Sequence, residues 1–600
     1  MNDNAINKRY DVVVIGAGLG GFCAALAAAR HGAHTALVND RPMIGGNGSS
    51  EIQMCICGAD AHGTRPNARE TGIVEEYLLR NRLRNPFQSY SISDTIFWEM
   101  AREAPNLDLY LNTRATDADV RDGRITAVRA VQMTTEKTFE FAADVFVDAT
   151  GDGYLAAQTG AQYMFGREAK SEFGEPDAPD EHDTYVMGVT LLFKAKKHDE
   201  PVPFVKPDWA YTYTEHDLRK RGHYSGSNIW QSKYSLDAGY WWIELGGGEL
   251  DVIGDTEEIR DELLRVLYGV WDHIKNGGDH GAENYALDWV QMLPGKRESR
   301  RITGDYILTE NDLLTSREFD DRVAYGGWPM DMHCIRGIRN PDADPTHYIH
   351  VPELYSIPYR CYYSKNIENL MMAGRCISVT HMAHGSTRIM GTCSVGGQAV
   401  GTAAALAVSK GILPREVSAH IPEMQQALLK DDCFLLDVKN EDAADRARLG
   451  SAASAVSLEG YEPQNLLNGI GRGTAHGTNC WNTGALEAPS SVTVALDRPS
   501  DIREVICRFD TNLGREISMF IFTAHLADQV PGVPPELVKD FGLRFLCEGK
   551  AVHEVRVRDN IIRNATVRLE QPVHCDAIEL TVYATYGAQS ANVFELRAYE

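Results

Sequence analysis

Residues 10–47, YDVVVIGAGLGGFCAALAAARHGAHTALVNDRPMIGGN, decide the fold. Tyr10 to Ile15 reads as a buried parallel strand, Phe22 to Arg30 as an Ala-rich helix and His34 to Val38 as a second strand, which together make a βαβ unit. Between the first strand and the helix, Gly16-Ala17-Gly18-Leu19-Gly20-Gly21 satisfies G-x-G-x-x-G. Gly16 permits the tight turn, Gly18 lets backbone approach a pyrophosphate, and Gly21 lets the helix pack close to the strand. The helix N-terminus, with unpaired N–H groups and the positive end of the dipole, then aims at phosphate. Glycine turns alone are common; the flanking strands and helix make this one a dinucleotide-binding turn. The acid expected at the end of the second strand is replaced by Asn39, with Asp40 beside it, and either side chain is suited to a ribose hydroxyl.

A second glycine pair, Gly45-Gly46, follows in Arg41 to Gly48. Val145 to Gly153 (VFVDATGDG) and Asn369 to Cys376 (NLMMAGRC) are again strands running into glycine. Glycine-marked strand ends so far apart in the chain suit one long cofactor lying across a discontinuous domain.

GAGLGG at 16–21, IGGNGSSEI at 44–52, ATGDG at 149–153, KRESRRITGDYILTENDL at 296–313 and AGRCIS with GSTRIMGTCSVGGQAVGTAAALAV at 373–408 resemble the FAD-dependent oxidoreductases of the glutathione-reductase-like, two-dinucleotide-binding-domain superfamily. The resemblance covers roughly residues 8 to 430 and implies FAD as cofactor. It implies FAD contacts at Gly16, Gly18, Leu19, Gly20 and Gly21, at Asn39, Asp40 and Arg41, and at Gly45, Gly46 and Asn47. Ala115, Ala149, Thr150 and Gly151 belong at the adenosine side by the same resemblance. By the same resemblance Gly374 and Arg375 belong near the pyrophosphate or ribityl chain, and Cys393, Gly396, Gly397 and Gln398 with the returning segment at the ring. Ala399 to Ser409 reads as a small-residue helix starting at Gly396-Gly397-Gln398, whose N-terminus suits negative charge on a reduced flavin.

The chain has 600 residues, enough for about three domains. Its formal charge of −25 argues against nucleic acid or an anionic membrane surface as partner. No window approaches the roughly 20 continuous apolar residues of a membrane-spanning helix. MNDNAINKRYDVVV carries no secretory signal, so a cytoplasmic location is expected. Twelve cysteines are too dilute for a disulfide scaffold. Cys55-x-Cys57, with His62 nearby, is read as two small apolar side chains near a buried turn rather than a redox pair or a metal seed, and no metal site is expected.

From Tyr154 to Asn369 the glycine punctuation lapses and aromatics accumulate: Tyr211, Tyr213, Trp230, Tyr240, Trp241, Trp242, Trp271, Trp289 and Trp328. This is the expected substrate domain, with aromatic core the commoner explanation and sugar stacking the sharper one. Glu257 to Lys275 has the apolar spacing of an amphipathic helix. In Lys296 to Arg301 (KRESRR), Arg297 and Arg300 suit a carboxylate or phosphate through their planar forks, or else an internal salt-bridge network. Thr380 to Arg388 (THMAHGSTR) offers His381 and His384 as proton carriers and Arg388 as a cation for a substrate carboxylate. Packing of the domain interface is the alternative for the histidines.

Lys430 to Ala455 reads as a helical connection or linker, and beyond it short alternating strands (SVTVAL, EVICRF, AVHEVRV, AIELTVY) predict an all-β sandwich. Its ends, NLLNGIGRGTAHGTNCWNTG and ATYGAQSANVFELRAYE, resemble discoidin-type, galactose-binding-like jelly rolls. That likeness implies either glycan binding or a packing and oligomerisation role, with the structural role favoured. The expected organisation is therefore an α/β Rossmann-like FAD-binding domain in two parts (1–155 and 369–432), an inserted α+β substrate domain (156–368), a linker (433–456) and a jelly-roll sandwich (457–600). The expected function is dehydrogenation of a polar small molecule, such as a sugar or sugar acid, by hydride transfer to flavin N5, with an electron acceptor outside this chain. A fumarate-reductase-like enzyme acting on an unsaturated acid, and a non-catalytic flavin-containing glycan binder, are the alternatives. A homo-oligomer is compatible with either role of the sandwich.

Overall fold

The computed structural model describes residues 5–59, 65–222, 236, 242–278, 280–520 and 529–600. His62, Trp230, Tyr240 and Trp241 lie outside them. The first domain is built on a seven-stranded sheet that includes β1 (Ile6–Ile15), β2 (Thr35–Val38), β3 (Leu107–Tyr110), β4 (Thr113–Arg121), β5 (Arg124–Gln132) and β6 (Lys137–Asp148), in the order β3-β2-β1-β6-β5-β4. The strands β3, β2, β1 and β6 are parallel, whereas β4 and β5 form an antiparallel meander. The returning strand Leu370–Met372 pairs in parallel with Phe146–Asp148 of β6, while β5 occupies the opposite end of that edge. Chain segments from both ends of the first domain therefore finish at one carboxyl edge, where α/β sheets bind ligands.

The α1 helix (Leu19–Arg30) packs against helix Met390–Lys410. Small residues make this approach close. A Cβ at Gly397 would lie 2.1 Å from the Gly20 carbonyl oxygen, and one at Gly401 would lie 2.0 Å from that of Ala24. This corrects the expected helix start: the helix begins at Met390, so Gly396, Gly397 and Gln398 lie within it. Glycines there cost helix propensity, which the tight packing offsets.

The insertion carries its own core around Leu263, Leu267, Val270 and Trp271 of helix Thr256–Asn276, which covers the expected amphipathic stretch. Small antiparallel sheets flank it: Glu244–Leu245, Val189–Thr190 and Gly295–Lys296 in one, Phe193–Lys197 with Tyr285–Val290 in another.

The C-terminal strands are all antiparallel. SVTVAL and EVICRF, expected as two strands, are one long strand, Ser490–Phe509, whose register shifts between Ala495 and Ser500. Such an irregularity around Pro499 bends the strand without ending it. Of the two readings of the connection, a helix or a linker, the helix is absent: 433–450 is irregular, and Ser451–Ser454 already pairs with the long strand. The sandwich docks firmly on the first domain. Asp432 takes ion pairs from buried Arg508 and Arg563, while Arg69 and Arg472 reach across to Asn512 and Thr71. Among the described residues, no helix is long and apolar enough to cross a membrane.

Candidate active site

The glycine turns after β1 and β2 face each other. Gly45 N–H donates to Ala17 O at 2.8 Å, and Gly46 approaches Gly18 so closely that a Cβ there would lie 3.0 Å from Gly18 Cα. The returning Gly374 completes the arrangement, because a Cβ on Gly20 would sit 2.5 Å from its nitrogen. Gly18 and Gly374 themselves face open space, with no atom within 4 Å of a Cβ on either. The N-terminus of α1 has no side-chain cap and no acid in its first turn. Backbone N–H groups, an unopposed positive dipole end and room at two glycines make a cradle for a phosphate-bearing ligand.

Next to the cradle lies a cavity of ≈ 220 Å³. Asn47, Ile52, Met54, Cys55 and Cys57 form one wall, and Trp242, Trp328 and Tyr348 add aromatic surface. Lys296, Arg297, Arg375 and Arg388 bring four cations to it; Asp331 is the carboxylate among its described lining residues, and His333 stands beside it. The polar groups form a continuous chain. Arg297 pairs with Glu244 Oε1 at 2.7 Å, His333 places Nδ1 2.9 Å from the same oxygen and Nε2 3.1 Å from Asp331 Oδ2, and Arg388 pairs with Asp331 Oδ2 at 2.9 Å. Burial pushes the Asp331 carboxyl up, but His333 and Arg388 more than offset it and hold it well below the usual carboxylate range. Glu244, equally buried, is held down by Arg297 and His333. Both carboxylates therefore accept, and each ring nitrogen of His333 lies within hydrogen-bond distance of one of them. A second bridge, from Lys296 at 2.7 Å and Arg375 at 2.6 Å to Asp152, ties the cavity wall to the loop after β6. Asp152 is pulled down to about 2 by these two cations against its burial.

Of the residues expected to act on substrate, Arg297 and Arg388 reach the cavity, and His381, His384 and Arg300 do not. His381 is buried behind the wall, its Nδ1 2.9 Å from Glu298, which also pairs with Arg301. His384 is fully buried and donates from Nε2 to Arg297 O at 3.1 Å. Burial, partly opposed by Glu298, drives its pKa down to about 3. Arg300 lies over the Tyr163 ring at 5.4 Å and donates to Asp152 O. These three place and stiffen the wall, because helix His381–Thr387 turns its histidines inward while Arg388 follows its end.

Several expected cofactor contacts are also relocated. Asn39 accepts from Ala17 N–H at 3.0 Å and donates to Arg41 O and Met43 O, so its amide braces the two glycine turns instead of facing a ribose. Asp40 and Arg41 stay exposed at the end of β2. Leu19 and Ala115 pack into the core. Gln398 accepts from Ile73 N–H at 2.9 Å, and Gly396 abuts Tyr362. The Cys393 thiol, pushed up to about 12 by burial, donates to the carbonyls of Thr387 and Arg388. Gly16, Ala149, Thr150 and Gly151 do gather at the carboxyl edge, where Ala149 N–H donates to Ile15 O and Thr150 bonds Asp148.

The family model described as FAD dependent oxidoreductase matches residues 11–428. The chain belongs to the FAD-dependent oxidoreductases. Its cofactor is FAD, and the glycine cradle with its uncapped helix fits the pyrophosphate of that group. Among solved structures, this oxidoreductase is similar to a geranylgeranyl bacteriochlorophyll reductase-like protein from Thermoplasma acidophilum (13% identity, 71% of this chain, 86% of that chain, TM-score 0.33). Its sandwich is similar to the family 32 carbohydrate-binding modules of Streptococcus pneumoniae EndoD (16% identity, 26% of this chain, 99% of that chain, TM-score 0.21) and of C. perfringens NanJ (14% identity, 26% of this chain, 98% of that chain, TM-score 0.20), the latter solved in complex with galactose.

Asp331 and His333 of the oxidoreductase are the residues that sequence reasoning missed. The signal was Asp331-Met332-His333 in strand Met330–His333, where the two-residue period turns both polar side chains to one face.

Proposed function

We propose that this oxidoreductase dehydrogenates a small polar molecule bearing a carboxylate, such as a sugar acid. The observation that carries the reading is the charge of the cavity: Lys296, Arg297, Arg375 and Arg388 line it against one lining carboxylate, Asp331. The three carboxylates that pair with these cations, Asp331, Glu244 and Asp152, leave one positive charge over, and a cation excess held largely out of water is costly unless an anion completes it. Buried Arg388 Nε has no partner among the described residues, so Arg388 retains a donor for the substrate. Trp242, Trp328 and Tyr348 supply flat apolar faces of the kind that stack on a sugar ring.

In this reading the backbone of Gly18, Gly20 and Gly374 and the N-terminus of α1 hold the FAD pyrophosphate, with Gly45, Gly46, Asn47 and Arg375 beyond it. When bound, FAD supplies two-electron chemistry at the cavity. Arg388 and Arg297 orient the substrate carboxylate, Asp331 and His333 manage the substrate proton, and the aromatic walls exclude water. His381, His384 and Arg300 position these groups from behind.

The reverse reaction, reduction of an unsaturated acid, is the second reading. His333 favours it, because an imidazole set between two carboxylates at the cavity is placed to relay a proton to the substrate. Anaerobic mixing of the flavoprotein with sugar acids, hydroxy acids and neutral sugars tests both. Bleaching of the flavin by an acid and not by its neutral analogue supports dehydrogenation. Reoxidation of the reduced protein by an unsaturated acid supports the second reading, and bleaching by neutral sugars alone overturns the carboxylate requirement.

A further inference from the structure

The sandwich supplies part of the cavity wall. Phe520, which lies in the long connection between strands Ser490–Phe509 and Val538–Cys547, lines the cavity beside residues of the first domain and the insertion. The contacts there are apolar. Met519 clusters with Tyr90 of helix Tyr90–Glu103 and with Leu192 of the insertion, and Met54 and Phe520 pack against that cluster. Met54 and Leu192 line the cavity as well, so three distant pieces of chain meet in one apolar patch at its edge.

The connection is pinned to the first domain on both sides of Phe520. Arg69 donates from its backbone N–H to Leu513 O at 3.1 Å and from its guanidinium to Asn512 O at 3.0 Å, while Thr511 Oγ1 donates to Glu75 Oε1 at 2.6 Å. Asn85 Nδ2 lies 3.4 Å from Met519 Sδ. On the far side Arg82 donates to Gly532 O at 3.0 Å and to Gln529 Oε1 at 3.1 Å, and Gln529 Nε2 donates back to Ser518 O at 3.1 Å. Charge-assisted bonds of this kind, several of them buried, hold a connection in one geometry.

The polar chain from Arg297 through His333 and Asp331 to Arg388 is the other part of the cavity. A ligand that satisfies only that part leaves Met54, Leu192 and Phe520 against water. Covering apolar surface is favourable in proportion to its area, so the cavity selects a molecule that is charged at one end and apolar at the other.

We propose that Phe520 is a specificity-determining residue of this oxidoreductase: the sandwich completes the active site, and its Phe520, with Met54 and Leu192, takes the apolar face or chain of an amphipathic acid. The acid end follows the proposed function, on which this assignment rests, and the apolar end is the addition.

The test follows binding of straight-chain saturated carboxylates, acetate to hexanoate, to the full-length flavoprotein by the change in the flavin spectrum, with the matching primary amides alongside. Affinity should rise about fourfold per methylene, the usual worth of a buried methylene. Phe520→Ala should leave acetate unchanged and weaken hexanoate by about 10-fold or more, the worth of roughly two methylenes, and Phe520→Leu should fall between. Val552→Ala, at an exposed position of the sandwich strand Lys550–Val557, should change neither. The amides keep the two readings apart: amides that bind as well as the acids remove the carboxylate requirement and still carry the chain-length test. Affinity that does not rise with chain length in the wild-type protein, for acids and amides alike, overturns the proposal, and this series stands even where a variant loses its flavin. An equal rise in flavin-loaded Phe520→Ala overturns it too.

Discussion

Nε2 of His333 lies 3.1 Å from Oδ2 of Asp331, and the two residues occupy alternate positions of one strand facing the cavity. Their pairing is extended at both ends by arginine: Arg388 holds Asp331, and Arg297 holds the Glu244 that receives the other nitrogen of His333. Removing the imidazole leaves two buried carboxylates short of a donor and removes the proton-handling group. His333→Gln should slow flavin reduction or reoxidation by about 100-fold or more, the scale of general acid–base catalysis. Stopped-flow measurement of the half-reaction checks this, and an unchanged rate with normal flavin content removes His333 from the chemistry.

Arg388→Met should act on binding more than on turnover. A lost charge-assisted hydrogen bond costs about 1.5–3 kcal/mol, roughly a 10- to 150-fold rise in KM. Arg388→Lys keeps the charge and should lie between wild type and Arg388→Met. Steady-state kinetics with an acid and its amide separate the two effects, since the amide should be indifferent to the substitution.

Gly20→Val should abolish FAD binding, because its side chain meets the backbone of Gly374 and drives the returning loop from the cradle. Gly160→Asn is the control: Gly160 has φ +73 but faces open space at a helix end, where asparagine is tolerated. The ratio of flavin absorbance to protein absorbance distinguishes the two variants.

Acidification should destabilise the protein from about pH 6.5 downward. Burial lowers the His384 pKa to about 3, so between there and the ordinary histidine value the unfolded chain binds a proton that the folded one does not. Stability therefore rises with pH across this window, by about 1.4 kcal/mol per pH unit at most for one such group. Glu298 and Asp152, each held down to about 2 by cationic partners, add loss in the same direction at lower pH. Denaturant unfolding across pH should show a shallower slope in His384→Gln than in wild type.

The glycine turns were readable in the chain because a tight turn, a close backbone approach and a helix start each restrict the residue type at a fixed spacing. The same local logic located the insertion's long helix and the sandwich. It misplaced the start of helix Met390–Lys410, because Gly396 and Gly397 look like a beginning when only their own neighbours are considered. Their contacts with Tyr362 and Gly20, far away in the chain, make them an interior packing face. It also split the long strand Ser490–Phe509 at Pro499, where pairing with Asn564–Thr585 carries the strand through the bend.

The candidate site divides in the same way. By themselves, residues 10–47 determined a dinucleotide-binding βαβ unit, and with the later glycine segments they determined a discontinuous flavin domain, since backbone conformation and hydrophobic period are local properties. Which charged residues would face the cavity was decided only by tertiary structure. His381, His384 and Arg300 share their segments with Arg388 and Arg297, and all five have side chains suited to catalysis. Helix rotation and the partners Glu298, buried, and Asp152, partly buried, turn three of them away. The short strand Met330–His333 brings Asp331 and His333 in, because an ion pair depends on distance in space and not on distance along the chain.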